Sequence, residues 1–138
     1  MIWFLRFLFS VVLVSMIALT GWASHACPLF AIPPDVLHHP WFLATLADAY
    51  WAFLAFFVFV AWKQRDAVSR VGWFIAIMLL GNISIAAFFL RELFRISRSE
   101  EIAEIFSRRE VGRRWLPILL SVLGLVIYAV AWRAKSGF

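Results

Sequence analysis

Charge is scarce in this 138-residue chain: 15% of its residues are Asp, Glu, Lys or Arg, and 64% are hydrophobic. A soluble domain carries roughly 45–50% apolar residues, because its surface must face water. So few charges cannot cover a water-facing surface, which leaves lipid as the outer solvent. Cysteine is nearly absent: Cys27 stands alone, cannot close a disulfide within the chain, and says little about redox compartment. No phosphate loop, nucleophile elbow, dinucleotide fingerprint or zincin motif occurs. The Ser, His and Asp residues have no spacing that would place a triad, so nothing points to a soluble-type catalytic centre. Ten-residue stretches of alternating polarity are missing too, which argues against a β-barrel.

What is present is apolar and aromatic. Fifteen Phe, eight Trp and a mean hydropathy of +0.90 accompany four long apolar runs. These are Ile2–Trp22, Trp41–Trp62, Val71–Leu90 and Trp115–Trp132. Each is close to the ~20 residues that a helix needs to cross ~30 Å of hydrocarbon. Trp3, Trp22, Trp41, Trp62, Trp73, Trp115 and Trp132 stand at or near the ends of the runs, as in an aromatic belt at the headgroup level. The expectation is an all-α, integral membrane four-helix bundle forming a single domain, in the inner membrane of a bacterium by default. Arg6, the apolar run after it, and Ser24 and Ala26 before Cys27 also resemble a signal peptide. The run exceeds the usual 7–15 apolar residues of such a segment, which favours a retained helix.

The formal charge of +5 and pI of about 10.4 imply no nucleic acid here, because the basic residues flank apolar runs where they can meet lipid phosphates. The first loop, Ala23–Pro40, has no Lys or Arg, which places it outside the cytoplasm. Lys63, Arg65 and Arg70 place the second loop inside, and Arg6, Arg133 and Lys135 agree with two cytoplasmic termini. The third loop conflicts with this scheme, since Arg91, Arg95, Arg98, Arg108, Arg109, Arg113 and Arg114 would fall outside. Within that loop, Ser97 and Glu100 have the spacing of a capping box. Ile102, Ile105 and Phe106 then share one face, and Glu104 and Arg108 form an i,i+4 pair, so a short interfacial helix is expected between the third and fourth runs. A solvated charged linker is the alternative.

Asp48 is the most informative residue, because a lipid-facing carboxylate costs about 2.5–3.5 kcal/mol on insertion scales. It is therefore expected to face the bundle, with Trp41, Ala44, Thr45, Trp51, Ala52 and Ala55 on the same helical face. At ~1.5 Å per residue, Asp48 lies roughly 10 Å below the outer boundary. In a four-span bundle Asn82, Ser15 and Ser121 fall at roughly 9–12 Å, so each helix offers a polar group to one layer. Tyr50 lies near it, and Arg91 is a charge partner for Asp48 or a snorkelling boundary residue. The layer is either a hydrogen-bonded clamp that sets helix register or a site for a ligand's polar group or a proton. His25, Cys27, Asp35, His38 and His39 in the first loop are metal-ligand types, but their spacing matches no zinc pattern. They read as interfacial turn residues, and no metal or cofactor is assigned.

His39-Pro40-Trp41, then Ala44-Thr45-Leu46-x-Asp48-x-Tyr50, then Trp62-Lys63, resembles a small membrane protein family of unknown function found in bacteria and plants. Gly81-Asn82-Ile83 extends the resemblance, which covers about Pro40–Phe94. Trp62 departs from the Tyr that many members have before the Lys. The resemblance implies a polytopic membrane topology and points to Asp48, without implying an activity.

Three classes remain. The first is binding or transport of a small molecule through the polar layer around Asp48, with Asn82, Thr45 and Tyr50 contributing. A narrow four-helix bundle would then need a homo-oligomer for transport. The second is a structural or assembly subunit with a membrane protein partner. The third is a membrane enzyme acting on an isoprenoid or lipid with Asp48 as general acid, for which no second acid or base is visible.

Overall fold

The computed structural model describes residues 1–109 and 113–136. Every regular element among them is helical. Besides short 3-10 turns at Leu29–Ala31 and Ser99–Glu101, the α-helices in chain order are α1 (Ile2–Ala26), α2 (Pro34–Leu37), α3 (Pro40–Lys63), α4 (Ala67–Leu80), α5 (Asn82–Arg95), α6 (Ile102–Ser107) and α7 (Trp115–Ser136). Helices α1, α3 and α7 have 25, 24 and 22 residues, and these three are long and apolar enough to cross a membrane. Pro40 occupies the first turn of α3, where its missing N–H costs nothing.

The apolar run Val71–Leu90 is not the single third span that its length suggests. It is broken at Gly81, whose φ of 52° and ψ of −123° suit only glycine. The chain reverses there. Ser84 Oγ donates to Ala76 O at 2.8 Å across the turn. The rings of Trp73 and Phe88 lie 5.2 Å apart, although a straight helix would separate them by roughly 22 Å. Helices α4 and α5 thus form an antiparallel hairpin of two 14-residue arms.

This hairpin is the centre of the molecule, and each long helix packs chiefly against it. Helix α5 runs along α1, where Phe9 stacks on Phe89 at 4.5 Å. Helix α4 runs parallel to α7. A Cβ on Gly72 would meet Pro117 Cβ at 3.1 Å, and one on Gly124 would meet Leu79 Cβ at 3.0 Å, so the two backbones approach closely. Ser121 Oγ lies 2.6 Å from Gly72 O and 2.7 Å from Pro117 O and ties the helices together. Helix α3 lays Phe53, Phe56, Phe57 and Val60 on the hairpin around buried Trp73, Ile77 and Phe88. A second cluster of Ile2, Leu93, Ile96 and Ile105 closes the base of α1, α5 and α6.

The hairpin reverses the expected order of ends. Arg6 Nη2 donates to Leu93 O at 2.9 Å and Ile96 O at 2.8 Å, so α1 starts where α5 finishes. Lys63 and Glu92 pair at that same end, as do Asp66 and Arg114. At the opposite end the Phe30 ring lies 5.5 Å from Trp132 near the end of α7. The two ends of the described chain therefore sit at opposite ends of the molecule. Three of the four expected long helices are present, and the third run forms two shorter antiparallel arms in place of one long helix.

The short helix expected between the last two runs is α6, with Ile105 buried and Phe106 exposed. Its Glu104–Arg108 pair forms at 3.8 Å. The capping acid is Glu101, whose Oε2 accepts from Ser97 N at 3.0 Å; Glu100 does not take that place. Helix α3 also turns the other way from expectation. Trp41, Ala44, Thr45, Asp48, Trp51, Ala52 and Ala55 are all exposed, and the phenylalanines take the inward face. Aromatic bulk at 53, 56 and 57 fills the groove over the hairpin better than alanine would.

Candidate functional site

Two polar constellations stand at different heights. The lower one lies at the basic end, where eleven of the thirteen Lys and Arg residues gather. Lys63, on the last turn of α3, is 1% exposed, and Glu92 on α5 is 4% exposed. Lys63 Nζ lies 3.1 Å from Glu92 Oε2 and donates to Ile105 O at 2.8 Å and Arg108 O at 2.9 Å. All three ammonium protons are thereby used, and α3, α5 and α6 are joined at one point. Glu92 Oε1 has no hydrogen bond, but Arg95 Nη1 at 3.6 Å and Arg91 Nε at 4.0 Å supply charge. A cavity of about 20 Å³ among Lys63, Glu92, Arg95, Glu104 and Arg108 holds one water at most. The cluster is therefore a fastening and not a ligand chamber. Asp66 caps α4 from the same end, accepting from Ser69 N at 2.9 Å and from Arg114 at 2.8 Å. Those bonds, led by the Ser69 N–H, hold its carboxyl below the usual carboxylate range.

The upper constellation lies beside the hairpin tip. Gly81 abuts Phe53, ten residues from the Lys63 end of α3, so the tip reaches roughly 15 Å, about the middle of that helix. Beside the tip an open cleft of about 250 Å³ lies between α3 and α4, lined by Ala47, Tyr50, Trp51 and Leu54 of α3 and Met78 of α4. Tyr50 Oη points to Met78 O at 3.4 Å, toward a carbonyl in the last turn of α4. Asp48 adjoins this lining along α3, and its carboxylate has no partner among the described residues. The N-terminus of α5 opens at Asn82, which is exposed, with no side-chain cap.

The residues expected to form one polar layer are thus not all gathered. Tyr50 meets the hairpin. Thr45 and Ser15 satisfy their hydroxyls on their own helices, at Trp41 O and Val12 O. Ser121 is buried against Gly72, in the lower half of the molecule. Arg91 belongs to the Glu92 group at the basic end and cannot neutralise Asp48. Lys63 was visible in the sequence as part of a motif. Glu92 is the partner that the sequence reading does not single out, although its spacing of four residues from both Phe88 and Ile96 marks the buried face of α5. The first-loop residues His25, Cys27, Asp35, His38 and His39 are exposed.

A family model described as Protein of unknown function (DUF1475) matches residues 1–110, from α1 through α6. The chain belongs to that family. No curated protein and no solved structure matches it significantly. Membership in DUF1475 brings no activity, so the function must be argued from the geometry.

Proposed function

We propose that this DUF1475 protein crosses a bilayer three times, with α4–α5 re-entering from the cytoplasmic side, and binds a small amphipathic molecule in the cleft beside the hairpin tip. Three crossings with a re-entrant hairpin put eleven of the thirteen Lys and Arg residues on one side, and the first loop with Arg133 and Lys135 on the other. That agrees with the positive-inside rule, which four crossings violate. The single observation that carries the binding reading is the height of the break at Gly81. A helix that restarts at mid-membrane leaves first-turn N–H groups, here those of α5 without a side-chain cap, to be covered by protein, water or a ligand, because they cannot face lipid. The cleft beside Tyr50 and Met78 lies next to that turn and could hold such a ligand. Asp48 at its rim and the Trp51 and Tyr50 rings suit a ligand with an apolar body and a cationic group.

Two experiments test this. Cys27 is exposed in the first loop and is the chain's own thiol probe. An impermeant maleimide labels it in intact cells, and also labels Ser136→Cys on a Cys27→Ser background; protection of Ser136→Cys would restore the four-span topology. For the ligand, a panel of hydrophobic amines and quaternary ammonium ions is scored by thermal shift in detergent. The parent is stabilised by some of them and Asp48→Asn is not. Equal shifts in both proteins would sink the binding role of Asp48.

A second reading is favoured by one observation: the whole Trp41–Ala55 face of α3 is exposed, with a carboxylate in it. An assembly subunit would use that face against a membrane partner. Cross-linking from Ala52→Cys in native membranes separates the readings, since only an assembly subunit gives a defined adduct with another protein.

A further inference from the structure

We infer that the turn between α3 and α4 is a seat for the headgroup of an anionic phospholipid. The inference concerns the opposite end of the molecule from the cleft and does not depend on it. Among the basic residues at this end, Arg6 and Arg70 donate to backbone carbonyls, Lys63 pairs with Glu92, and Arg98 lies at the start of the turn before α6. Arg108 pairs with Glu104, Arg114 with Asp66, and Arg91 and Arg95 face Glu92. Arg65, Arg109 and Arg113 are exposed and have no carboxylate partner among the described residues.

Chain positions place all three around the turn between α3 and α4. Arg109 Nε donates to Trp62 O at 2.9 Å, and its guanidinium lies 5.6 Å from the Trp62 ring centre. The Arg114–Asp66 bond of 2.8 Å fixes Arg113 and Arg65 as the immediate chain neighbours of a joined pair. The turn is therefore flanked by three arginines that have no carboxylate partner among the described residues and whose terminal N–H groups can meet phosphate oxygens, Arg109 keeping its Nε on Trp62 O. Exposed Trp62 and Trp115 stand at the adjoining ends of α3 and α7. Tryptophan at helix ends marks the headgroup level, so a lipid phosphate arrives at the height of these guanidinium groups. A soluble anion would have no need of the flanking rings, and the source is therefore a lipid.

The test uses the full chain purified in detergent with an equimolar mixture of phosphatidylglycerol and phosphatidylcholine, and native mass spectrometry to count retained lipids. Each arginine near an anionic surface is worth about a fivefold preference. The parent should retain phosphatidylglycerol over phosphatidylcholine by roughly tenfold or more, and Arg65→Gln/Arg113→Gln should lower that preference to within about twofold. That double variant spares the Arg109 bond to Trp62, and an unchanged unfolding curve verifies its fold. Arg133→Gln/Lys135→Gln, at the other end, should leave the preference intact. Equal retention of the two lipids by the parent, or an undiminished preference in the double variant, would overturn the assignment. Displacement of the lipid by millimolar inorganic phosphate alone would also overturn it, in favour of a soluble anion.

Discussion

Replacing Lys63 with methionine removes the ammonium that joins α3, α5 and α6 while keeping most of the side-chain volume. Three bonds go with it: those to Glu92 Oε2, Ile105 O and Arg108 O. Glu92 is then left 4% exposed with its nearest cation gone. Breaking a buried pair by deleting one partner costs about 3–5 kcal/mol, chiefly because the remaining charge stays desolvated. Arg95 and Arg91, at 3.6 Å and 4.0 Å from Glu92 Oε1, offset part of that penalty. The expected loss is therefore near the lower end, ~3 kcal/mol. Glu92→Gln should cost less, ~1–2 kcal/mol, because the Lys63 ammonium keeps an amide oxygen and the Ile105 and Arg108 carbonyls as acceptors. The double variant Lys63→Met/Glu92→Leu should recover to within about 1 kcal/mol of the parent, since an apolar pair needs no desolvation offset. Equilibrium unfolding in mixed micelles, followed by tryptophan fluorescence, measures all three. If Lys63→Met lies within ~0.5 kcal/mol of the parent, the pair behaves as a surface contact and the fastening role is wrong.

Gly81→Ala should destabilise the hairpin by about 2–4 kcal/mol, from backbone strain at positive φ together with overlap on Phe53, whose Cζ lies 2.6 Å from the Cβ position. Gly81→Ala/Phe53→Ala should recover only the overlap part, and full recovery in the same unfolding assay would show that the backbone is not strained. The depressed Asp66 carboxyl adds stability that is complete above its unfolded value near 3.8 and is lost as pH falls through its lower folded value. Melting temperature should therefore fall more steeply below about pH 4 in the parent than in Asp66→Asn, which keeps the helix cap without the charge. Parallel pH profiles for the two proteins would contradict this.

Much of the fold was legible in composition. Hydropathy over ~20 residues reports the solvent a helix prefers, so α1, α3 and α7 could be placed from their apolar runs and terminal tryptophans alone. Pro40 marked the start of α3, and the Ile102–Phe106 spacing marked α6. The candidate site was less legible. Asp48 and Tyr50 could be named, but not the direction they face, because α3 is apolar on every side and carries little amphipathic bias to orient it. The arginine-rich third loop was the one sequence feature at odds with four crossings, and the re-entrant hairpin proposed above would remove that conflict.

The amino-acid sequence by itself thus determined that the chain is helical, apolar enough to span a membrane, and basic around its second and third loops. Only the tertiary structure decided that the run Val71–Leu90 folds back at Gly81. An average over apolar residues is the same for a straight span and for two antiparallel arms. The difference lies in the backbone angles at one glycine and in whether Trp73 finds Phe88 across the turn. That long-range contact set the order of the ends, buried Glu92 beside Lys63, and left the cleft open beside Tyr50 and Asp48.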